Sequence, residues 1–427
     1  MVSGVLDAEN ASLVQPSGSV RGYDALVLDA SLRQALVSVR SLGQRGLSIA
    51  ALDLDRQAPT FSSRWCQKSI VSSAPDSSEA HLASLEHALA QTRARVVIPS
   101  ADGTVALLRR YRAQLEQRVN IALAEEEALA VAVNKEQTLD VAQQLGLNIP
   151  RGVLVRSTAE VKEALKDVGL PAVVKPVESW LWDKQRQGTR LASLLVTTPE
   201  EARQAVEALT ASGGSTLFQK FLSGRREAIS LLYAHSNVYA RFAQWAKRTE
   251  PPLGGQSVWR QSIAIPSDIG EQAERLVREI NLEGYSEVEF RRDHAGVPYL
   301  MEINPRLSAS VEVAVRSGVD FPYLLYQWAC GERIEKVERY RTGVWMRYLK
   351  GDIMTTIEAL QQRGRPGVTP PMQAILDFWL AFFVPAGYDY LDWKDCMPAI
   401  KASIDFTRSW VGGAVTKRLL HLKRRFS

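Results

Sequence analysis

Cysteine is scarce in this chain of 427 residues: Cys66, Cys330 and Cys396 stand alone, with neither the number nor the spacing of a disulfide framework or a structural zinc site. Their scarcity points to a reduced compartment, and the expected location is the cytoplasm. A secretory leader is not expected either. Residues 1–21 are rich in small residues without a basic start and a long apolar run, so they read as a flexible tail. No apolar run approaches the roughly 20 residues that span a bilayer. Phe378 to Val384 is far shorter and reads as core or as an interfacial segment. No Gly-rich dinucleotide fingerprint follows either of the first strands, which weakens a nicotinamide-binding reading. Internal repeats are absent too, which argues against a duplicated architecture. Excess charge is nearly absent from the body: 52 basic residues face 47 acidic ones, and Lys417, Arg418, Lys423, Arg424 and Arg425 account for the difference. With basic residues confined to the tail and no aromatic platform beside them, nucleic acid is not an expected partner.

What is present is a large apolar content, 46%, and a change of character along the chain. Ala25 to Leu28, Leu32 to Leu42 and Leu47 to Leu52 read as strand, amphipathic helix and strand, the pattern of a βαβ unit. Arg95 to Pro99, Asp102 to Leu115 and Val119 to Leu123 repeat that pattern, so the first third is expected to be an open parallel sheet. After the helical stretch Lys135 to Leu145, hairpins dominate. Strands are expected at Ala172 to Lys175, Thr216 to Phe221, Ala228 to Tyr233 and Val238 to Trp245, with a last hairpin over Tyr285 to Ile303.

That last hairpin carries the chemistry. With Asp293 to Gly296 as a four-residue loop, strand alternation places Val288, Phe290, Tyr299, Met301 and Ile303 on one face, and Glu287, Glu289, Glu302 and Asn304 on the other. Like charges on paired strands repel unless they are solvated, protonated or neutralised by a cation. A solvated sheet face is the plain reading of two glutamates. Asn304, Pro305 and Arg306 shift the balance, because a neutral oxygen and a fixed guanidinium beside the acids suit magnesium bridging phosphates. Lys175 lies in an apolar strand, where an ammonium is costly unless an anion meets it. Lys135 opens a helix, a position that favours anions.

The order of these features resembles the ATP-grasp superfamily, specifically its carboxylate-amine ligase-like members, a predicted ATP-dependent carboligase subgroup. The resemblance covers roughly Asp24 to Glu335. It implies an α/β and α+β multidomain chain: an N-terminal open parallel α/β domain over 22–125, a two-lobed ATP-grasp domain over 126–340, and a mostly helical C-terminal extension over 341–427. It also implies that Lys135 and Lys175 contact the ATP phosphates, that the hinge Gln219, Lys220, Phe221 and Leu222 reads adenine, and that Glu227 reaches the ribose. Glu289, Glu302 and Asn304 would bind Mg2+ or Mn2+. The implied activity is an ATP-dependent ligase that makes an acylphosphate and passes it to an amine or thiol, with Arg306 and Lys175 at the reacting groups. An amino acid or a cell-surface glycan precursor is the expected kind of substrate. A nucleotide-binding protein without turnover is the alternative.

Substrate contacts are less defined by pattern. Ser100 and Asp102 follow a strand of the first sheet and serve equally as helix caps or as ligand contacts, with capping favoured for at least one. Arg248, Gly254 and Gly255 lie in a Pro/Gly-rich loop, and Arg248 or Arg260 is placed to grip a carboxylate. The segment Val177 to Leu191 occupies the place of the family's Gly-rich lid but has one glycine, Gly188, among tryptophans and cations. In the tail, Val415, Leu419, Leu422 and Phe426 alternate at helical spacing with basic residues, which suits peripheral contact with an anionic membrane or docking on the protein itself.

Overall fold

The computed structural model describes residues 22–73, 77–182, 188–211, 213–252, 254–408 and 410. The tail reading over 411–427, and the lid cations Lys184 and Arg186, lie outside them.

The first third forms a five-stranded sheet in the order β3-β2-β1-β4-β5, with every neighbouring pair parallel. Its strands are β1 (Ala25–Leu28), β2 (Ile49–Asp53), β3 (Lys68–Val71), β4 (Val96–Ile98) and β5 (Asn120–Ile121). β1, the central strand, is fully apolar and buried, as a strand covered on both faces should be. Helix α1 (Arg33–Gln44) was expected to be amphipathic, yet Arg33 through Gly43 are all buried. Its outer face is covered by the distant end of the chain. The strand Lys68–Val71 and the helix α2 (Ser78–Thr92) complete this layer and were not expected from the sequence. The anticipated helix Asp102 to Leu115 breaks at Tyr111, giving α3 (Asp102–Arg110) and a further turn.

Two mainly antiparallel sheets follow. The smaller has the order β10-β7-β11-β6, from β6 (Gly152–Val155), β7 (Ala172–Pro176), β10 (Leu194–Val196) and β11 (Thr216–Lys220). Between β7 and β10 stand β8 (Trp180–Trp182) and β9 (Gly188–Arg190), a hairpin of their own. The larger sheet has seven strands in the order β16-β15-β12-β13-β14-β17-β18. These are β12 (Arg226–Ala234), β13 (Asn237–Glu250), β14 (Gln256–Ile263), β15 (Gly284–Arg292), β16 (Pro298–Asn304), β17 (Trp345–Arg347) and β18 (Ala386–Tyr388). The C-terminal region is mainly helical, as expected, and its two short strands β17 and β18 join this sheet. Among the described residues, no helix is long and apolar enough to cross a membrane.

Candidate active site

The acids sit at the outer edge of the larger sheet. In the β15–β16 hairpin Glu287 pairs with Asn304, Val288 with Ile303 and Glu289 with Glu302, so the three glutamates and the asparagine share a face. The register then slips, and Phe290 pairs with Leu300, leaving Met301 over as the extra residue. This corrects the expected apolar face: fully buried Leu300 joins Val288, Phe290 and Ile303, while Tyr299 and Met301 are half-buried. The bulge lies beyond the acids and leaves their alignment intact.

Two lysines close over this face. Lys135 reaches to 3.5 Å from Glu302 and donates to Ser179 Oγ at 3.0 Å. Its helix is held to the smaller sheet by its own N–H, which donates to the Val177 carbonyl. Lys175 comes from β7, buried, and forms no ion pair with a described residue. Burial pushes its ammonium down to about 8, against the pull of Glu302. For Glu302, burial opposes ionisation, but Lys135, Lys175 and Arg226 outweigh it and hold the carboxyl below its ordinary range.

Arg226 was not anticipated. It stands on β12 two positions from Ala228, the cross-strand partner of Glu289, and its Nε and Nη2 donate to that carboxylate at 3.0 and 2.6 Å. Asn304 Nδ2 donates to the same group at 3.2 Å. Only the pairing of β12 with β15 reveals this arginine, since nothing in its neighbourhood marks it. Glu287 is likewise enclosed, accepting from Gln244 Nε2 at 2.8 Å, and burial, helped by Glu289, pushes it up to about 6.

The other wall comes from the parallel sheet. Arg306 Nε donates to Asp102 at 2.6 Å, and the pair lines a cleft together with Lys135, Ser179, Trp180, Glu302 and Asn304. Asp102 therefore orients Arg306. Neither Ser100 nor Asp102 caps α3, contrary to expectation: the N-cap position is Ala101, which has no capping side chain. Ser100 instead donates its N–H to Asp29 at 2.9 Å, and its buried hydroxyl has no partner. Asp29 also accepts from Thr104 Oγ1 at 2.7 Å, takes a left-handed backbone with φ of 61°, and is pushed by burial up to about 6. It follows β1 where β1 adjoins β4, the point at which strand order reverses in this sheet, and open α/β sheets bind ligands in that crevice.

Other expected contacts are corrected. Glu227 lies on the opposite face of β12 from the acids, opposite Phe290, where it is held by Arg292 at 2.7 Å and Arg225 at 3.0 Å; strand parity turns it away from the site. Arg260 is completely buried and spends its guanidinium on Asp389 and the Ser310 carbonyl. Arg248 is tied to Asp352 at 2.7 Å. Neither is free to grip a substrate. The Pro/Gly-rich loop does reach the site, because the Gly255 carbonyl accepts from Arg226; Gly254 makes no comparable contact. In the hinge, Gln219 is buried, Lys220 is exposed, and the N–H groups of Lys220 and Phe221 already donate to Arg151 and Pro171. Leu222, buried, follows them.

The lid resolves into tryptophan packing. A Cβ on Gly103 would lie 2.9 Å from the Trp180 ring, and one on Gly188 would overlap that ring. The hairpin is thus seated on α3 by an indole where two glycines make room. Arg190 at its end contributes to holding the Asp102 carboxyl low.

Among the described residues, no three acid, His or Cys side chains converge into a ready-made metal cage. Two carboxylates and a carboxamide fit magnesium whose remaining positions are filled by phosphate oxygens and water, the usual way this hard cation is bound. Lys175, buried beside them with no ion pair among the described residues, fits the same anion.

An antiparallel sheet ending in paired acids, faced by a smaller sheet that carries a buried lysine and preceded by a parallel sheet, is the ATP-grasp fold, which solved structures named below share with this chain. Within it, residues 218–352 match the family model described as ATP-grasp in the biosynthetic pathway with Ter operon. The chain is 28% identical over 218 residues to a D-alanine–D-alanine ligase of Geobacter sulfurreducens, covering 46% of this chain and 64% of that one. An L-amino acid ligase from Bacillus licheniformis superposes with a TM-score of 0.60 at 17% identity, over 76% of this chain and 79% of the other. An N5-carboxyaminoimidazole synthetase from Staphylococcus aureus, complexed with ADP, gives 0.59 at 14% identity over 84% and 97%. The chain spans 54% and 64% of the length of two curated D-alanine–D-alanine ligases it matches, and 21% of a carbamoyl phosphate synthase large chain from Methanoculleus marisnigri.

Proposed function

We propose that this chain is an ATP-dependent ligase that activates a small-molecule carboxylate as its acylphosphate and joins it to an amine. The observation that carries the reading is the buried Lys175 ammonium, which has no ion pair with a described residue and lies in the field of Glu302 and Glu289. Lys135 and Lys175 would hold the phosphates, and the Leu222 N–H with the hinge carbonyls would read adenine. Magnesium on Glu289, Glu302 and Asn304 would neutralise phosphate charge as the γ-phosphoryl group moves to the carboxylate. Arg306, oriented by Asp102, would steady the charge on the acylphosphate, while the crevice at Asp29 and Ser100 would receive the substrate. Trp180, which lines the cleft, would limit access of water to the reacting groups. A cytoplasmic setting supplies the ATP this reading needs.

Purified protein given Mg-ATP with pooled amino acids and carboxylates should release ADP only when a matching pair is present. Tight ATP binding with no release from any pool supports the other reading, a nucleotide-binding protein without turnover, which the grip of Arg226 on Glu289 favours.

Lys175 makes the binding step pH-dependent. Its lowered pKa means that the ammonium is present below about pH 8 and must be regained by proton uptake above it. ATP affinity should hold steady up to about 8 and then fall by about tenfold per pH unit. Titration calorimetry in two buffers of different ionisation enthalpy measures the proton taken up, and Lys175→Met should abolish it. A flat affinity profile through pH 9 would remove Lys175 from the phosphate site.

A further inference from the structure

Most large apolar side chains exposed among the described residues lie between Met372 and Trp410. The helix Pro371–Leu380 turns Met372, Leu376, Trp379 and Leu380 outward at helical spacing and buries little besides Ala374. Phe382 and Phe383 follow it, the latter 83% exposed, and Trp393 is 85% exposed. Residues 397–408 are helical and show Met397, Ile400 and Ile404 on an outer stripe. These segments flank one turn of the fold: Arg347 lies over the Phe378 and Phe382 rings at 4.7 and 4.1 Å, and Lys350, three residues on, lies over Phe406 at 5.8 Å.

Charge is sorted across this region. Its acids are largely consumed inside, with Asp389 on Arg33 and Arg260, Asp395 on Arg40, Asp392 on Arg316 and Asp377 on Lys247; half-exposed Asp405 is the exception. Lys350, Lys394 and Arg408 remain exposed. The chain beyond Trp410 then carries Lys417, Arg418, Lys423, Arg424 and Arg425 with no acid. Exposed tryptophan and phenylalanine beside outward cations are the composition that settles at the boundary of an anionic bilayer, the rings among headgroups and the cations on lipid phosphates.

We infer that the face formed by residues 372–410 docks on an anionic lipid surface, independently of the ATP site. The full chain should co-sediment with phosphatidylcholine vesicles containing phosphatidylserine and only weakly with phosphatidylcholine alone. The combined variant Trp379→Ser, Phe383→Ser and Trp393→Ser should weaken that binding at least about tenfold, with an unchanged thermal melt and unchanged ATP binding. Absence of vesicle binding by the parent chain, or equal binding by the variant, overturns the inference. So does concentration-dependent self-association without lipid that the variant abolishes, since the face would then meet a second copy of the chain.

Discussion

Glu302→Gln lowers substrate-dependent ADP release by roughly 10²- to 10³-fold, the scale seen when one charge-stabilising group is lost from a preorganised site. Glutamine keeps the shape and one oxygen, so the loss is one of charge. Glu302 faces Glu289 across the strands, lies 3.5 Å from Lys135 and is the strongest counterweight to the burial of Lys175. Without it, the metal site retains a single carboxylate. The variant also carries a signature that misfolding would not produce: with Glu302 neutral, the Lys175 ammonium is less favoured, and ATP affinity should start to fall below the parent's pH of about 8. Turnover within tenfold of the parent, at saturating magnesium, would dismiss the assignment.

Asp389→Ala destabilises the chain by about 3–5 kcal/mol, read as a drop in the urea midpoint at unchanged slope. Asp389 is buried just past β18 and accepts from Arg260 at 2.5 and 3.2 Å and from Arg33 at the start of α1. Truncation leaves two enclosed guanidiniums, one of them fully buried, to share weaker acceptors: the Ser310 carbonyl and Gln256. Burial opposes the ionisation of Asp389, but Arg260 and Arg33 prevail and hold its carboxyl below the usual range. Its contribution is therefore present above the ordinary carboxylate range and lost as pH falls through the depressed value, so parent and variant should converge in acid. Asp389→Asn should recover part of the loss. A cost under about 1 kcal/mol would mean that the arginines find other partners, and the C-terminal region would not be anchored this way.

Much of the site was legible before any contact was known. Strand alternation needs only a local period of two, so it placed Glu289, Glu302 and Asn304 together even though a bulge at Met301 shifted the register beyond them. An apolar run interrupted by a lysine marked Lys175 because burial of an unpaired ammonium is costly wherever it occurs. Glu227 was expected at the ribose from the resemblance alone, and its face depends on where β12 begins relative to β15.

The arginines divide what the sequence by itself determined from what only the tertiary structure decided. Apolar periodicity and strand parity were enough for the core of the parallel sheet, the last hairpin and the shared face of Glu289, Glu302 and Asn304, because those patterns arise from neighbours in the chain. The partner of a charged side chain is not a local property. Arg260 looked like a substrate grip and proved to be bound to Asp389, 129 positions away, while Arg226, which nothing marked, closed on Glu289. α1 looked half-exposed until the C-terminal segment covered it and neutralised Arg33 and Arg40. Burial and pairing energies depend on distances that folding alone sets, so the acid–lysine order could be read from the chain, but which of its cations were free could not.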